Sequence, residues 1–500
     1  MIRRLTGGTS GRTMPSHNRA GPTIGGSAVT EVTGASTGLE ARAISLRHVL
    51  SQGCIANGPL ASVTVALTGA AFYGLGALPF AMVAASVLIL LYVNTTYQFS
   101  KHLQSAGGIY QLVRAGFGEG LAGATGTSYS LANLLLVAAN ALIAPSLFDA
   151  AMAALGWNPP GWTWVLVAAV TLAAPFLLGW YRVRPTLDYG IVTATIEVVV
   201  IVGLSVYFVV HAGGHNTFSV FDPTHARNGW GGVGVAMALS SVALGGADNV
   251  LALGEESHAP QSTIKRSVLT VQLAVVAVYI FASYALTVAW GPAKMGSFAA
   301  SGSPLLTLAG RAGGHALVVI IALLALNSII GVNVAVNITV ARMVFDFGRQ
   351  GFLPRSMART HPHHRTPTTG LLACLGVEAL ATFVPEAIWG LTTGFIVVIT
   401  AATAGYIVQQ LITSAALIGF ARRRRIQAVL FYVVIPLAAC LLLAYSLYGN
   451  LWPLSIPNSL GVFILLAAVI LAGIVAATRL RGRAGPGNAT GAPAAVEVRA

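Results

Sequence analysis

Gly53-Cys54-Ile55-Ala56-Asn57-Gly58-Pro59-Leu60 lies in the middle of the first long apolar run of the chain, and Ser240-Ser241-Val242-Ala243-Leu244-Gly245-Gly246-Ala247-Asp248-Asn249 lies in the sixth. Both stretches break the rules for a helix in lipid. Pro59 has no N–H and Gly58 is a poor helix former, so the first stretch predicts an interrupted helix, with a plain proline kink as the simpler alternative. In the second, two glycines stand beside Asp248, and an acid at a helix centre costs about 2.5–3.5 kcal/mol on insertion scales. That cost calls for a partner, a proton or a cavity. Unpaired backbone at such depth survives only inside protein or beside water.

The rest of the chain sets these stretches in a bilayer. Of 500 residues, 55% are hydrophobic and only 8% charged, with mean hydropathy +0.76. Soluble domains carry about 25% charged residues, so the solvent here is lipid. A spanning helix needs about 20 mostly apolar residues. Twelve stretches qualify: 46–72, 76–98, 117–147, 161–181, 188–211, 231–254, 265–290, 314–345, 367–384, 387–418, 425–448 and 458–478. The fold class is therefore an all-α membrane protein with twelve transmembrane helices.

The net charge of +14 raises the question of nucleic acid, but the basic residues sit in short loops between apolar runs. With the N-terminus inside, the outer loops hold only Arg227, Lys294 and Arg311 of the 28 Lys and Arg. The positive-inside rule then places both termini in the cytoplasm of an inner or plasma membrane. Residues 1–41, rich in Gly, Ser, Thr and Pro with scattered arginines, read as a disordered basic tail rather than a signal peptide. Residues 479–500 read as a second tail, so the Asn488-Ala489-Thr490 glycosylation pattern is discounted as cytoplasmic.

Other polar residues in the spans are Glu197 in the fifth, Glu378 in the ninth, Asn133 and Asn140 in the third, and Asn327, Ser328, Asn333 and Asn337 in the eighth. Asparagine and serine glue helices together at about 0.6 kcal/mol each. The two glutamates read either as structural hydrogen-bonders or as transport residues. Cys54, Cys374 and Cys440 all lie in apolar stretches and give no disulfide or metal spacing. His361-Pro362-His363-His364 lacks acidic or cysteine partners, so no metal or other cofactor is expected. Arg422 to Arg425 read as a topology anchor, with contact to anionic lipid as the alternative.

The breaks fall in first place of two successive blocks of five spans, and paired interruptions at matching positions point to a transporter site. Four stretches together resemble the amino acid–polyamine–organocation (APC) superfamily. They are Asn57-Gly58-Pro59; Ser105-Ala106-Gly107-Gly108-Ile109-Tyr110, with Gln104 where relatives have proline; Gly246-Ala247-Asp248 followed by Glu255-Glu256 and Pro260; and Arg342, then Gly351-Phe352-Leu353-Pro354 and Thr366-Pro367. The resemblance implies a leucine-transporter-like core of five plus five inverted helices over residues 42–420, with two additional helices over 421–478. It implies a substrate site between the broken spans, at Cys54, Ile55, Ala56, Asn57, Gly58 and Pro59 and at Val242, Gly245, Gly246, Ala247 and Asp248. Exposed backbone there suits an amino acid, because a half-helix N-terminus offers N–H groups and about +0.5 charge to a carboxylate. The chain lacks the family's "G-x-G-I-F" run, Asp248 replaces a commoner glutamate, and the fifth span has no lysine.

The function expected is uptake of an amino acid or related amine by alternating access, coupled to protons. A carboxyl in a low-dielectric interior can take up and release a proton near neutral pH. Asp248 is the first candidate, Glu197 the second and Glu378 the third. Glu255, Glu256, Lys265 and Arg266 read as a cytoplasmic gate or loop clamp, with plain surface pairing as the alternative. Sodium coupling, uniport and amine exchange stay open. Rivals of another class are a solute sensor without flux and a membrane-embedded enzyme. No Asp-rich motif or Ser/His pair in adjacent spans supports the enzyme.

Overall fold

Both interruptions are present. The first span is helical over Leu46–Asn57, breaks at Gly58 and resumes over 59–74. Gly58 is left-handed (φ 50°, ψ 71°), and a Cβ there would fall 2.2 Å from Val332 Cγ2, so only glycine fits. Pro59 then starts the second half-helix, where its missing N–H costs nothing. One widened turn follows over Ser62–Ala66. The sixth span runs as an α-helix over Trp230–Ala243 and then tightens into a 3₁₀ helix over Gly245–Glu256. The unwinding expected at Gly245-Gly246 is thus a change of helix type. Long 3₁₀ runs are uncommon and mark strain or a hinge.

The computed structural model describes residues 44–103, 108–180, 183–256, 260–361, 364, 366–452 and 456–481, without the side chains of residues 183–185, 247, 254–256, 260–262, 299, 458 and 479–481. Among the described residues, ten helical stretches are long and apolar enough to cross a membrane. Two of them double back, giving twelve spans. In Leu46–Ser100 the reversal is at Leu75 (φ 43°, ψ −129°). Asn57 touches Gly246 and Tyr92 touches Asp248, whereas 35 residues of straight helix would part them by about 50 Å. In Thr368–Arg424 the reversal is at Gly390 (φ 76°, ψ 172°). There a Cβ on Gly394 would sit 3.2 Å from Pro385 C, although nine residues of helix span about 13 Å.

The remaining spans are Glu119–Ala154, Thr163–Trp180, Val183–His211, Pro260–Trp290, Pro304–Gln350 and Asn458–Arg481, with the eleventh over Leu430–Leu451. Several outrun the lengths expected from hydropathy. The eighth begins with a separate helical segment, split off at Gly313 and Gly314. Between the eighth and ninth spans, Arg355–Ala358 form a 3₁₀ turn.

Side chains sort as a bilayer demands. Leu60, Leu67, Met82, Tyr92, Tyr279 and Ile329 pack into one buried cluster joining the first, second, seventh and eighth spans. Val199, Val210, Leu441, Ile464 and Ile470 stand exposed on the outside of the bundle. An apolar surface this broad fits lipid, so the chain is a multi-pass membrane protein. The tail expected over 479–500 begins later, since the last helix runs on to Arg481; residues 1–41 and 482–500, and the Ser105-Ala106-Gly107 part of the second motif, lie outside the described residues.

Candidate functional site

The two breaks meet. Gly246 N donates to Asn57 Oδ1 at 3.2 Å. The peptides are in contact, since a Cβ on Gly246 would lie 2.5 Å from both Ala56 C and Asn57 N. On one side of this contact a cavity of about 920 Å³ opens toward the loops that carry Arg227, Ser301 and Trp452. Its volume lies within the range of small-molecule sites. Ala56, Asn57 and Val242, three of the expected site residues, line its inner end with Ala61, Asn140 and Val332. Tyr445 and Tyr448 of the eleventh span line its mouth, so a helix read from sequence as an addition to the core contributes to the cavity.

Apart from Ala247, whose side chain lies outside the described residues, the other expected residues lie off the cavity wall. Ile55, Gly58, Pro59, Gly245 and Gly246 are buried in the packing between the broken spans, and Cys54 is half-buried. Asp248 is 3% exposed. Its Oδ2 accepts a 2.6 Å hydrogen bond from Tyr92 OH, and Oδ1 has no partner among the described residues. Around it, Tyr129 OH donates to Asn249 Oδ1 (3.4 Å) and Tyr406 OH to Asn133 Oδ1 (2.7 Å). The tyrosines give Asp248 a polar niche that no local sequence pattern reveals. We expect Tyr92→Phe to destabilise the protein by about 1–3 kcal/mol, the usual result of stripping a buried acceptor of its donor. A melting transition in detergent that does not move would show that Asp248 has other support.

The peptide groups that sequence leaves open at the first break are already held. Leu60 N donates to Glu197 Oε2 at 3.2 Å, and Ala61 N to Ser328 Oγ at 3.1 Å. Ser328 Oγ in turn donates to the same Glu197 oxygen at 2.6 Å. On the other half-helix, Asn57 O accepts from Ser62 Oγ (2.6 Å) and Tyr279 OH (2.9 Å). Tyr189 OH donates to Asn327 Oδ1, next to Ser328. Glu197 is therefore a carboxylate cap joining the first, fifth and eighth spans, and Ser328 is its bridge rather than mere glue. Asn133 and Asn140 have separate partners: Asn133 Oδ1 accepts from Tyr406, and Asn140 Nδ2 donates to Asn333 Oδ1 at 2.8 Å. Glu378 is fully buried, and neither of its oxygens has a partner among the described residues.

The opposite, basic face carries several ties among the described residues. Arg114 Nε meets Glu119 at 2.6 Å, where Tyr110 OH also donates (2.7 Å). Asp346 gathers Arg349 (2.6 Å), Gln111 (3.0 Å) and Gln350 (2.5 Å). His48 Nε2 lies 3.1 Å from Asp188, and Gln52 Nε2 donates to Ala335 O at 2.9 Å. None of these ties was expected from sequence. The gate assigned to Glu255, Glu256, Lys265 and Arg266 is only half visible, because both acid side chains lie outside the described residues. Arg266 is exposed, and the Lys265 ammonium lies 6.0 Å from the Tyr97 ring. Lys101 lies 4.7 Å from the same ring, and burial, then the Lys265 charge, lowers its pKa from the ordinary value. No group of three His, Cys, Asp or Glu that could hold a metal occurs among the described residues.

Comparison with known proteins gives this geometry a context. A family model described as amino acid permease matches residues 43–481. The chain is 24% identical over 317 residues to the branched-chain amino acid permease BcaP of Bacillus subtilis (strain 168), an alignment covering 60% of this chain and 65% of that protein. It is 24% identical over 316 residues to the low-affinity putrescine importer PlaP of Escherichia coli (strain K12), covering 61% and 67%. The chain thus spans about two thirds of each relative's length, and both are carriers rather than enzymes by name.

Proposed function

We propose, from the premise that this chain belongs to the amino acid permease family, that it carries amino acids with aliphatic side chains across the membrane by alternating access. The observation that supports this most is the contact between two interrupted helices at the floor of the cavity. Val65, Leu136, Leu239, Val242 and Val332 line that cavity with Asn57, Thr64 and Asn140. Such a wall suits an apolar side chain with a few polar anchors. By the distribution of Lys and Arg, the cavity side is the outside, and both termini lie in the cytoplasm of a plasma or inner membrane. The carrier core is taken as residues 42–420, with 421–478 as two further helices and tails at either end.

Glu197 is the coupling group on this reading. One of its oxygens receives both Leu60 N–H and Ser328 O–H, so a proton placed on the carboxyl weakens the cap that holds three spans together. Asp248 is the second choice, since its link to Tyr92 joins only the second and sixth spans. Purified protein in proteoliposomes, given labelled leucine under an imposed inward proton gradient, should accumulate it with or without sodium. A protonophore should abolish the accumulation. Leucine uptake indifferent to the pH gradient would remove proton coupling, and leucine-dependent thermal stabilisation without flux would point to a sensor.

A further inference from the structure

Arg227 is the one charged residue lining the cavity among the described residues. It stands in the loop before the sixth span, at the cavity mouth, and is exposed. Its position is fixed on several sides. Its backbone N donates to Tyr73 O at 2.9 Å, its Nε donates to Phe72 O at 3.0 Å, and its guanidinium lies 4.3 Å from the centre of the Phe72 ring. Behind it, a Cβ on Gly232 would fall 1.9 Å from Arg227 O, so the sixth span is packed flush against this loop. No acid lines the cavity among the described residues. Asp222, in the same loop, accepts from Thr224 N and Oγ1 at 2.9 and 2.7 Å. Asp248 and Glu197 are buried and hydrogen-bonded off the cavity wall.

We infer that Arg227 is a charge filter: it draws solutes bearing a carboxylate into the cavity and turns away those bearing only positive charge. A fixed charge at the mouth of a low-dielectric cleft focuses its field inward and changes encounter rates about 10- to 1,000-fold. A zwitterion can enter carboxylate first. A diamine meets like charge at the mouth and no carboxylate along the described wall. The filter rests on the amino acid reading above and deepens it, because it separates the two solute classes named among the relatives. It assigns Arg227 a role in selectivity distinct from holding the end of the first span.

The test uses full-length protein in proteoliposomes, with leucine uptake and its inhibition by putrescine measured at low and high salt. Wild-type protein should be inhibited weakly by putrescine. Arg227→Glu should raise the leucine KM and lower the putrescine inhibition constant, each by about tenfold at low salt. Both shifts should shrink at high salt, where charges are screened over a few ångströms. Maximal leucine uptake should hold. Arg227→Lys keeps the charge but not the forked contacts with Phe72, so it should retain wild-type selectivity, which a purely structural role would not allow. Unchanged constants in Arg227→Glu with leucine uptake intact overturn the filter alone. Wild-type transport of putrescine but not leucine overturns both the filter and the amino acid reading.

Discussion

Gly246→Ala should abolish most uptake while the protein still inserts. The new methyl group would lie 2.5 Å from Ala56 C and Asn57 N, and 2.7 Å from Ala56 O. These are backbone atoms of the other broken span, so no side chain can swing aside. Relief requires moving one span by about an ångström, which breaks the Gly246 N–H bond to Asn57 Oδ1. Overpacking of this kind costs about 1–3 kcal/mol, or roughly 5- to 150-fold in the population of the packed state. Gly69→Ala is the matched control: it also lines the cavity, yet nothing lies within 4 Å of its Cβ position. Uptake per reconstituted molecule, compared with the melting transition, separates loss of transport from loss of fold. Uptake near the wild-type level in Gly246→Ala would show that the two spans work without peptide contact.

The second large effect is at Glu197. Glu197→Ala leaves Leu60 N and Ser328 Oγ without their shared acceptor. Buried donors stripped in this way cost about 1–3 kcal/mol each, so the variant should lose both stability and uptake. Glu197→Gln is the more informative change. It keeps the size and one acceptor oxygen but cannot exchange a proton. We expect it to fold, to exchange leucine across the membrane at equal pH, and to stop accumulating leucine when an inward proton gradient is imposed. If Glu197→Gln still accumulates leucine under that gradient, the coupling group is elsewhere, and Asp248 is the next to test.

The fold was open to reading because it is written in local terms. Apolar runs, Gly58-Pro59, Gly245-Gly246 and the crowding of Lys and Arg into alternate loops are all properties of short stretches. The site was less legible because its contacts are long in sequence. Asp248 could be recognised as costly, but its donor Tyr92 lies 156 positions away. Glu197 could be recognised as anomalous, but that it caps the half-helix starting at Pro59 depends on how the fifth span packs against the first, 137 positions away. The reading of bare peptide groups at the break followed from helix geometry and was incomplete for the same reason. The ties around Asp346 were missed because Gln111 is 235 positions distant. Only the pair Asp346 and Arg349, three apart on one helix, carried a local signal.

The size of the cavity, about 920 Å³, has a consequence for the energetics of turnover. At about 30 Å³ per molecule of liquid, that space holds on the order of thirty waters. One small solute displaces only a few of them. In the proposed alternating-access cycle, closing the mouth returns most of this water to the bulk each time, whatever the cargo. A large inert osmolyte kept outside the cavity should favour the closed form and so change the turnover rate, even at equal concentrations of cargo on both sides.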